Sequence, residues 1–177
     1  MAIQRFLGLA DAISAALARV HEQGITHGAM THAHIILEYK DILDLTGAPS
    51  AVWVSRETPQ WGPGELVVEP LAYRAPEQQR PMNRTTDSRS DLYTIGIIFY
   101  QMLTGCLPFL ANNPLDWAHS RIAHSDALSA PHESIPVVLC GIVMKLLENS
   151  ADRRYQTAVG LTHDLRQCAN DWQLNGT

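Results

Sequence analysis

Apolar residues recur at the i, i+3, i+4, i+7 spacing in four stretches of the chain, and the densest of them predicts a buried helix. From Asp91 to Gly105, the residues Leu92, Ile95, Ile98, Phe99, Met102 and Leu103 form one stripe, which Ile97 and Tyr100 widen beyond a surface face. Asp91 is placed to cap the free amides at its start and Gly105 to close its end in a left-handed conformation. Upstream, Phe6, Leu9, Ala10, Ile13, Leu17 and Val20 predict an amphipathic helix to about His21, ended by Gly24. Downstream, Val137, Val138, Leu139, Ile142, Val143, Leu146 and Leu147 predict a strongly apolar helix. Val159, Leu161, Leu165, Cys168 and Trp172 predict a last one, with Thr157 as its N-cap.

Between these helices the pattern shortens or breaks. Ile35-Ile36-Leu37 and Ile42-Leu43, separated by Lys40-Asp41, predict a small hairpin. From Thr46 to Pro70 the prolines and glycines exclude any long regular element, so an extended loop is expected, with Trp53 and Trp61 as anchors or partner contacts. Asn112 to Arg121 suggests a short surface helix introduced by Pro114, with Leu115 and Trp117 as its apolar residues. The reading is one domain over residues 1–177: a mainly α bundle around a buried central helix, with one hairpin and no internal repeat. The first helix has nothing before it to complete a small domain, so the chain is expected to begin inside a larger fold.

Composition narrows the classes. At 177 residues and 46% hydrophobic content the chain can bury about two thirds of its unfolded surface. A formal charge of −5, with scattered Lys and Arg, offers no basic field for nucleic acid or anionic membrane. No apolar run approaches the roughly 20 residues of a membrane span, and Met1-Ala2-Ile3-Gln4-Arg5 lacks the halves of a signal peptide, so a cytoplasmic protein is expected. Cys106, Cys140 and Cys168 are odd in number, far apart and set in apolar helical patterns, and are read as buried thiols. His27, His32 and His34 could ligate a metal, but no nearby Cys or Asp completes the set, and loop histidines are the plainer reading.

The order of Arg74-Ala75-Pro76-Glu77-Gln78, the central helix and Leu107-Pro108-Phe109 resembles the large, C-terminal lobe of a eukaryotic-type protein kinase. In that family the catalytic loop reads His-Arg-Asp-x-x-x-x-Asn, where the Asp takes the substrate proton and the Asn holds magnesium. Here His27 matches the His, but Gly28 stands for Arg, Ala29 for the catalytic Asp, Thr31 for the usual Lys and His34 for Asn. An alanine methyl cannot accept a proton. Glu69-Pro70 also replaces the Gly-Thr pair whose hydroxyl would bridge the positions of Ala29 and Thr31. The resemblance therefore implies a catalytic loop at 24–37 without its base, and an activation-loop-like segment at 44–77.

Of the metal-binding Asp-Phe-Gly, only Asp44 in Leu43-Asp44-Leu45-Thr46-Gly47 persists, and a turn aspartate bonding nearby amides is an equal reading of it. The resemblance implies a chain that starts after the small lobe, so no cofactor is expected in it, and Mg-ATP only if a small lobe is supplied. The frame matches better. Glu77 falls on the Ala-Pro-Glu glutamate, Arg154 on the arginine that pairs with it, and Asp91 on the helix aspartate that receives amides of the catalytic loop. Ser55 and Thr58 could be phosphorylated, but the arginine that would read the phosphate is replaced by Gly28.

Met82-Asn83-Arg84, Leu103-Thr104-Gly105, Arg154-Tyr155-Gln156-Thr157 and Arg56-Glu57-Thr58 are similar to a narrower group, the kinase-like domains at the N-terminus of multisensor histidine kinases. That implies a pseudokinase-type module of a signalling protein, whose partners are proteins or other domains of a larger sensor kinase. The segment Leu115 to Arg121 and the loop holding Trp53 and Trp61 would be its contact surfaces. An active serine/threonine kinase whose small lobe lies outside this chain, with Asp44 on magnesium, is the alternative. A metal module using the loop histidines is the third.

Overall fold

The computed structural model describes residues 2–37, 43–45, 72–79, 87–108 and 135–175. The expected loop over residues 46–70 and the expected surface helix over residues 112–121 lie outside them. Four helices make up the body: α1 (Ile3–Glu22), α2 (Ser88–Thr104), α3 (Val137–Leu146) and α4 (Ala158–Asn175). Strands β1 (Ile35–Leu37) and β2 (Leu43–Leu45) form an antiparallel hairpin, and single 3-10 turns lie at His32–His34, Pro76–Gln79 and Ala151–Arg153.

Helix α2 is the rod around which the others pack. Every residue from Ser90 to Phe99 is buried, so neighbours cover it on all sides. Helices α1 and α3 lie against α2, α4 packs on α1 and α3, and β2 sits beside α1. Leu92, Ile95, Ile97 and Phe99 are fully inaccessible, each contributing about 1.5–3 kcal/mol of burial. Phe99 meets Phe6 of α1 edge-to-face, with ring centroids 5.5 Å apart. On the side toward α3 the rod carries Gly96. A Cβ built there would lie 2.7 Å from the Leu146 Cβ and 3.0 Å from Leu147 Cδ2. The absent side chain is what allows the two helices to approach so closely.

The ends of α2 show one agreement with the sequence reading and one correction. Gly105 closes the helix at φ 79°, and its N–H reaches the Gln101 carbonyl at 2.8 Å. The N-cap is Asp87, whose carboxylate accepts the Arg89 N–H at 2.9 Å, so the helix starts at Ser88. Asp91 lies inside the first turn and points into the protein's interior, 1% exposed. Two carboxylates flank the start of the pattern, and apolar spacing alone cannot tell which of them caps.

Other expectations are corrected by exposure. Val137 and Val138 are 80% and 62% exposed, because the buried stripe of α3 is Leu139, Ile142, Val143 and Leu146. Val159 is 56% exposed on the outer side of α4. Of the cysteines only Cys168 is buried; Cys140 is intermediate, and Cys106 is exposed because it follows the left-handed Gly105 beyond the end of α2. The second strand spans Leu43–Leu45, one residue later than read, so Asp44 lies in mid-strand opposite Ile36 rather than after the hairpin. Thr157 stands just before α4, its hydroxyl accepting the Gly160 N–H at 3.1 Å, as an N-cap does.

Candidate functional site

The loop between α1 and β1 is built by turns at both ends of a short extended run. Helix α1 stops at Glu22, and Gly24, at φ 72°, donates to the His21 carbonyl at 2.9 Å. The chain then passes through His27, which is 1% exposed, and turns again at Gly28, where φ is 74°. Asp91 of α2 holds this second turn. Its Oδ2 accepts the His27 N–H at 2.8 Å and lies 2.9 Å from His21 Nε2, and its Oδ1 accepts the Gly28 N–H at 2.8 Å. A carboxylate in the first turn of a helix also gains from the positive end of the helix dipole.

The opposite side of the loop is tied by Gln78. Its Oε1 accepts the Ala75 N–H at 2.8 Å while its Nε2 donates to the Gly28 carbonyl at 2.6 Å. One side chain thus joins the loop to the turn Pro76–Gln79. The sequence reading quoted Gln78 without giving it a role. Its signal was there: proline at the first position of a turn and glutamine at the third is half of a capping box.

Between these ties the positions that carry chemistry in kinases hold other residues. Ala29 is exposed and has no proton acceptor. Thr31 and His34 are bound to one another: His34 Nδ1 accepts the Thr31 N–H at 3.0 Å and lies 3.1 Å from the Thr31 hydroxyl. Desolvation, and then the nearby His27 and His32, hold the His34 pKa below its ordinary value of 6.5. The neutral ring suits its acceptor role. The rings of His27 and His34 stand edge-to-face, 5.1 Å apart.

His32 turns the other way. Its Nδ1 is 2.8 Å from the Tyr73 hydroxyl, which itself donates to Gln101 Oε1 at 2.7 Å, so the His32 nitrogen is the donor to the tyrosine oxygen. Tyr73 is 1% exposed, and its carbonyl accepts the Thr94 hydroxyl at 2.9 Å. It was missed in the sequence because an aromatic beside Ala-Pro-Glu reads only as core.

A second cluster lies under the Pro76–Gln79 turn. Arg154 Nη1 and Nη2 meet Glu77 Oε1 and Oε2 at 2.7 and 2.8 Å, and the arginine side chain is wholly buried. Its remaining N–H groups donate to the carbonyls of Glu148, Arg89 and Asn149 at 2.7, 3.1 and 3.3 Å. All five guanidinium donors are satisfied, the condition under which such a burial is tolerable. The Arg154 guanidinium also lies 4.8 Å from the centre of the Tyr93 ring. Ser90 adds a hydroxyl donor to Glu77 Oε1 at 2.7 Å. Burial pushes the Glu77 carboxyl upward, but the hydrogen bonds from Arg154 and Ser90 and the arginine charge outweigh it and leave the pKa lowered.

At the positions where the family would hold magnesium, this chain carries His34 and Asp44. Magnesium takes oxygen ligands in an octahedron. His34 offers an imidazole whose Nδ1 is committed to Thr31, and Asp44 is placed by its backbone opposite Ile36. Nor do three or more His, Cys, Asp or Glu side chains gather to hold a metal ion among the described residues. The structure therefore brings together His27, Asp91 and Gly28, and separately Glu77 and Arg154.

A helical lobe with a largely buried central helix, whose aspartate gathers a His-led loop and whose neighbouring Pro-Glu turn is clasped by an arginine ahead of the last helix, is the class defined by the large lobe of protein kinases. The chain belongs to the protein kinase domain family, whose model matches residues 4–165. It is 39% identical over 94 residues to the hybrid signal transduction histidine kinase G of Dictyostelium discoideum, covering 52% of this chain and 3% of that protein. It is 32% identical over 148 residues to the serine/threonine-protein kinase PknB of Mycobacterium leprae, covering 82% of this chain and 23% of the relative. Histidine protein kinase 1 of Candida albicans is 30% identical over 160 residues, covering 85% of this chain and 6% of the relative. The chain thus spans less than a quarter of each of these proteins. No helix among the described residues is long and apolar enough to cross a membrane.

Proposed function

We propose that this lobe is a pseudokinase-type regulatory or interaction module of a signal-transduction protein, one that keeps the kinase frame and does not transfer phosphate. The observation that carries the reading is Ala29. In the family, the residue there accepts the proton of the substrate hydroxyl, and a methyl group does not. The surroundings support it. Gly28, in the arginine position, adopts φ 74°, which an arginine would occupy only under strain, and Thr31 and His34 satisfy one another. Mg-ATP has a place here only with a small lobe supplied, and the chain itself needs no cofactor.

The similarity to long histidine kinases supports a setting inside a larger sensor protein, where other domains or protein partners use the lobe as a docking body. The similarity to PknB favours a second reading, an active serine/threonine kinase completed by a small lobe, with Asp44 on magnesium. The two separate on one assay: transfer of labelled phosphate from Mg-ATP by the full-length protein, beside its Asp44→Ala variant. The first reading expects no transfer in either. Transfer lost on Asp44→Ala establishes the second.

A further inference from the structure

An exposed histidine is joined to the central rod through one buried hydroxyl. His32 lies exposed on the turn His32–His34, and its Nδ1 is 2.8 Å from the Tyr73 hydroxyl. Tyr73 is 1% exposed, and its hydroxyl is 2.7 Å from Oε1 of Gln101, a half-buried residue of α2. The Tyr73 carbonyl also accepts the Thr94 hydroxyl of α2 at 2.9 Å, so the tyrosine is fastened to the rod by its backbone and by its tip. Three segments far apart in the chain meet in one line of hydrogen bonds, and the preceding proposal uses none of the three residues.

A tyrosine hydroxyl gives one proton and can accept another hydrogen bond, and in a buried setting it is held to do both. In the structure it gives its proton to Gln101 Oε1 and receives from His32 Nδ1–H. A neutral imidazole carries a single N–H, which leaves the His32 Nε2 with a lone pair and with no hydrogen-bond partner among the described residues. The line has a second direction. Turning the Gln101 amide over places its NH2 group at the tyrosine oxygen; Tyr73 then gives its proton to His32 Nδ1, and the imidazole N–H sits on Nε2. Both directions keep the heavy atoms in place and the number of hydrogen bonds equal. A mixed arrangement sets donor against donor or acceptor against acceptor in the interior, which is costly. Neighbouring His34 supplies a comparison, since its Nδ1 accepts the Thr31 N–H at 3.0 Å and its neutral ring therefore carries the proton on Nε2.

We propose that His32, Tyr73 and Gln101 form a two-way hydrogen-bond relay, through which a group meeting His32 at the surface is registered at Gln101 on the rod. A donor, such as an amide N–H or a hydroxyl, holds the relay in the direction of the structure. A carbonyl oxygen, which only accepts, reverses it. Coupling of this kind is reciprocal, so fixing the direction at Gln101 fixes the tautomer at His32.

The test reads the tautomers of the whole chain by nitrogen NMR of its imidazoles at about pH 8.5, where an imidazole is ordinarily neutral. Nδ1–H on His32 and Nε2–H on His34 are expected in the wild type. Gln101→Glu, an acceptor only, keeps His32 in that form, whereas Gln101→Lys, a donor only, shifts it to Nε2–H and leaves His34 unchanged. Tyr73→Phe cuts the line and makes His32 indifferent to both substitutions of Gln101. Nε2–H on His32 in the wild type, which needs no variant to fold, overturns the proposal, and so does one tautomer shared by Gln101→Glu and Gln101→Lys. A reversal that persists in the Tyr73→Phe background overturns it as well, by assigning the effect to charge on the rod and not to the hydrogen bonds.

Discussion

Glu77 and Arg154 lie 77 residues apart in sequence and meet in a two-pronged ion pair at 2.7 and 2.8 Å. The pair joins the Pro76–Gln79 turn to the segment before α4, and through the Arg89 carbonyl to the start of α2. Glu77→Ala leaves a guanidinium buried without its counter-ion, at a cost of about 3–5 kcal/mol. The expected fall in Tm is on the order of 10 °C. Ser90→Ala, which removes one neutral donor from the same carboxylate, costs only about 1 kcal/mol. Urea unfolding of the two variants checks the ratio.

The same pair sets an acid limit. The Glu77 pKa is lowered in the folded protein, so the stability it contributes is fully present above the unfolded value near 4.5 and is lost as pH falls through the folded value. Between those points the wild type is expected to lose more stability per pH unit than Glu77→Gln does. Parallel unfolding curves for the two proteins would contradict this.

His34 acts in the same direction nearer neutrality. Its pKa is also lowered, first by desolvation and then by the neighbouring His27 and His32. Its contribution is present above the unfolded value of 6.5 and is lost as pH falls through the folded one. His34→Asn keeps an acceptor and cannot titrate. Denaturant midpoints compared between pH 7.5 and 5 are expected to fall less in the variant than in the wild type.

Asp91 is the only side chain among the described residues seen to accept both the His27 and Gly28 amides. Asp91→Asn substitutes an amide nitrogen for one of the two carboxylate oxygens, which sets a donor against a donor. A loss of about 3 kcal/mol is expected. Hydrogen exchange at the His27 and Gly28 amides should accelerate more than exchange elsewhere in the core. Uniform acceleration would make Asp91 a general core residue and not a loop clamp.

Gly96→Ala reverses the usual sign. In an open helix the change gains about 0.5–1 kcal/mol, but here the new methyl meets Leu146 Cβ at 2.7 Å, and overpacking costs about 1–3 kcal/mol. A lower midpoint in urea unfolding is expected, and an unchanged or raised one would contradict the close approach of α2 and α3 at this position.

The buried rod was legible because Leu92, Ile95, Ile97, Ile98 and Phe99 cover more of the helix than a surface face does, although Ser90, Asp91 and Thr94 lie buried among them. The closing glycine was legible too, since few residues accept a φ of 79°. The N-cap was not, because Asp87 and Asp91 are equally suited on paper and only the loop that Asp91 receives decides between them. Tyr73, and the tie from Gln78 across to Gly28, stayed hidden for a related reason. Their partners, the Gly28 carbonyl for one and His32 and Gln101 for the other, lie far along the chain, and no local period encodes a hydrogen bond across the fold. Val137, Val138 and Val159 belong to the apolar pattern yet lie exposed, because a helix's apolar count does not say how much of its circumference neighbours cover.

The central claim is a kinase frame without kinase chemistry, and the most direct measurement is phosphate transfer from Mg-ATP by the full-length protein, with Ala29→Asp alongside. The account predicts no transfer above a denatured control from the wild type. Magnesium-dependent transfer by the wild type, abolished by Asp44→Ala, would contradict it.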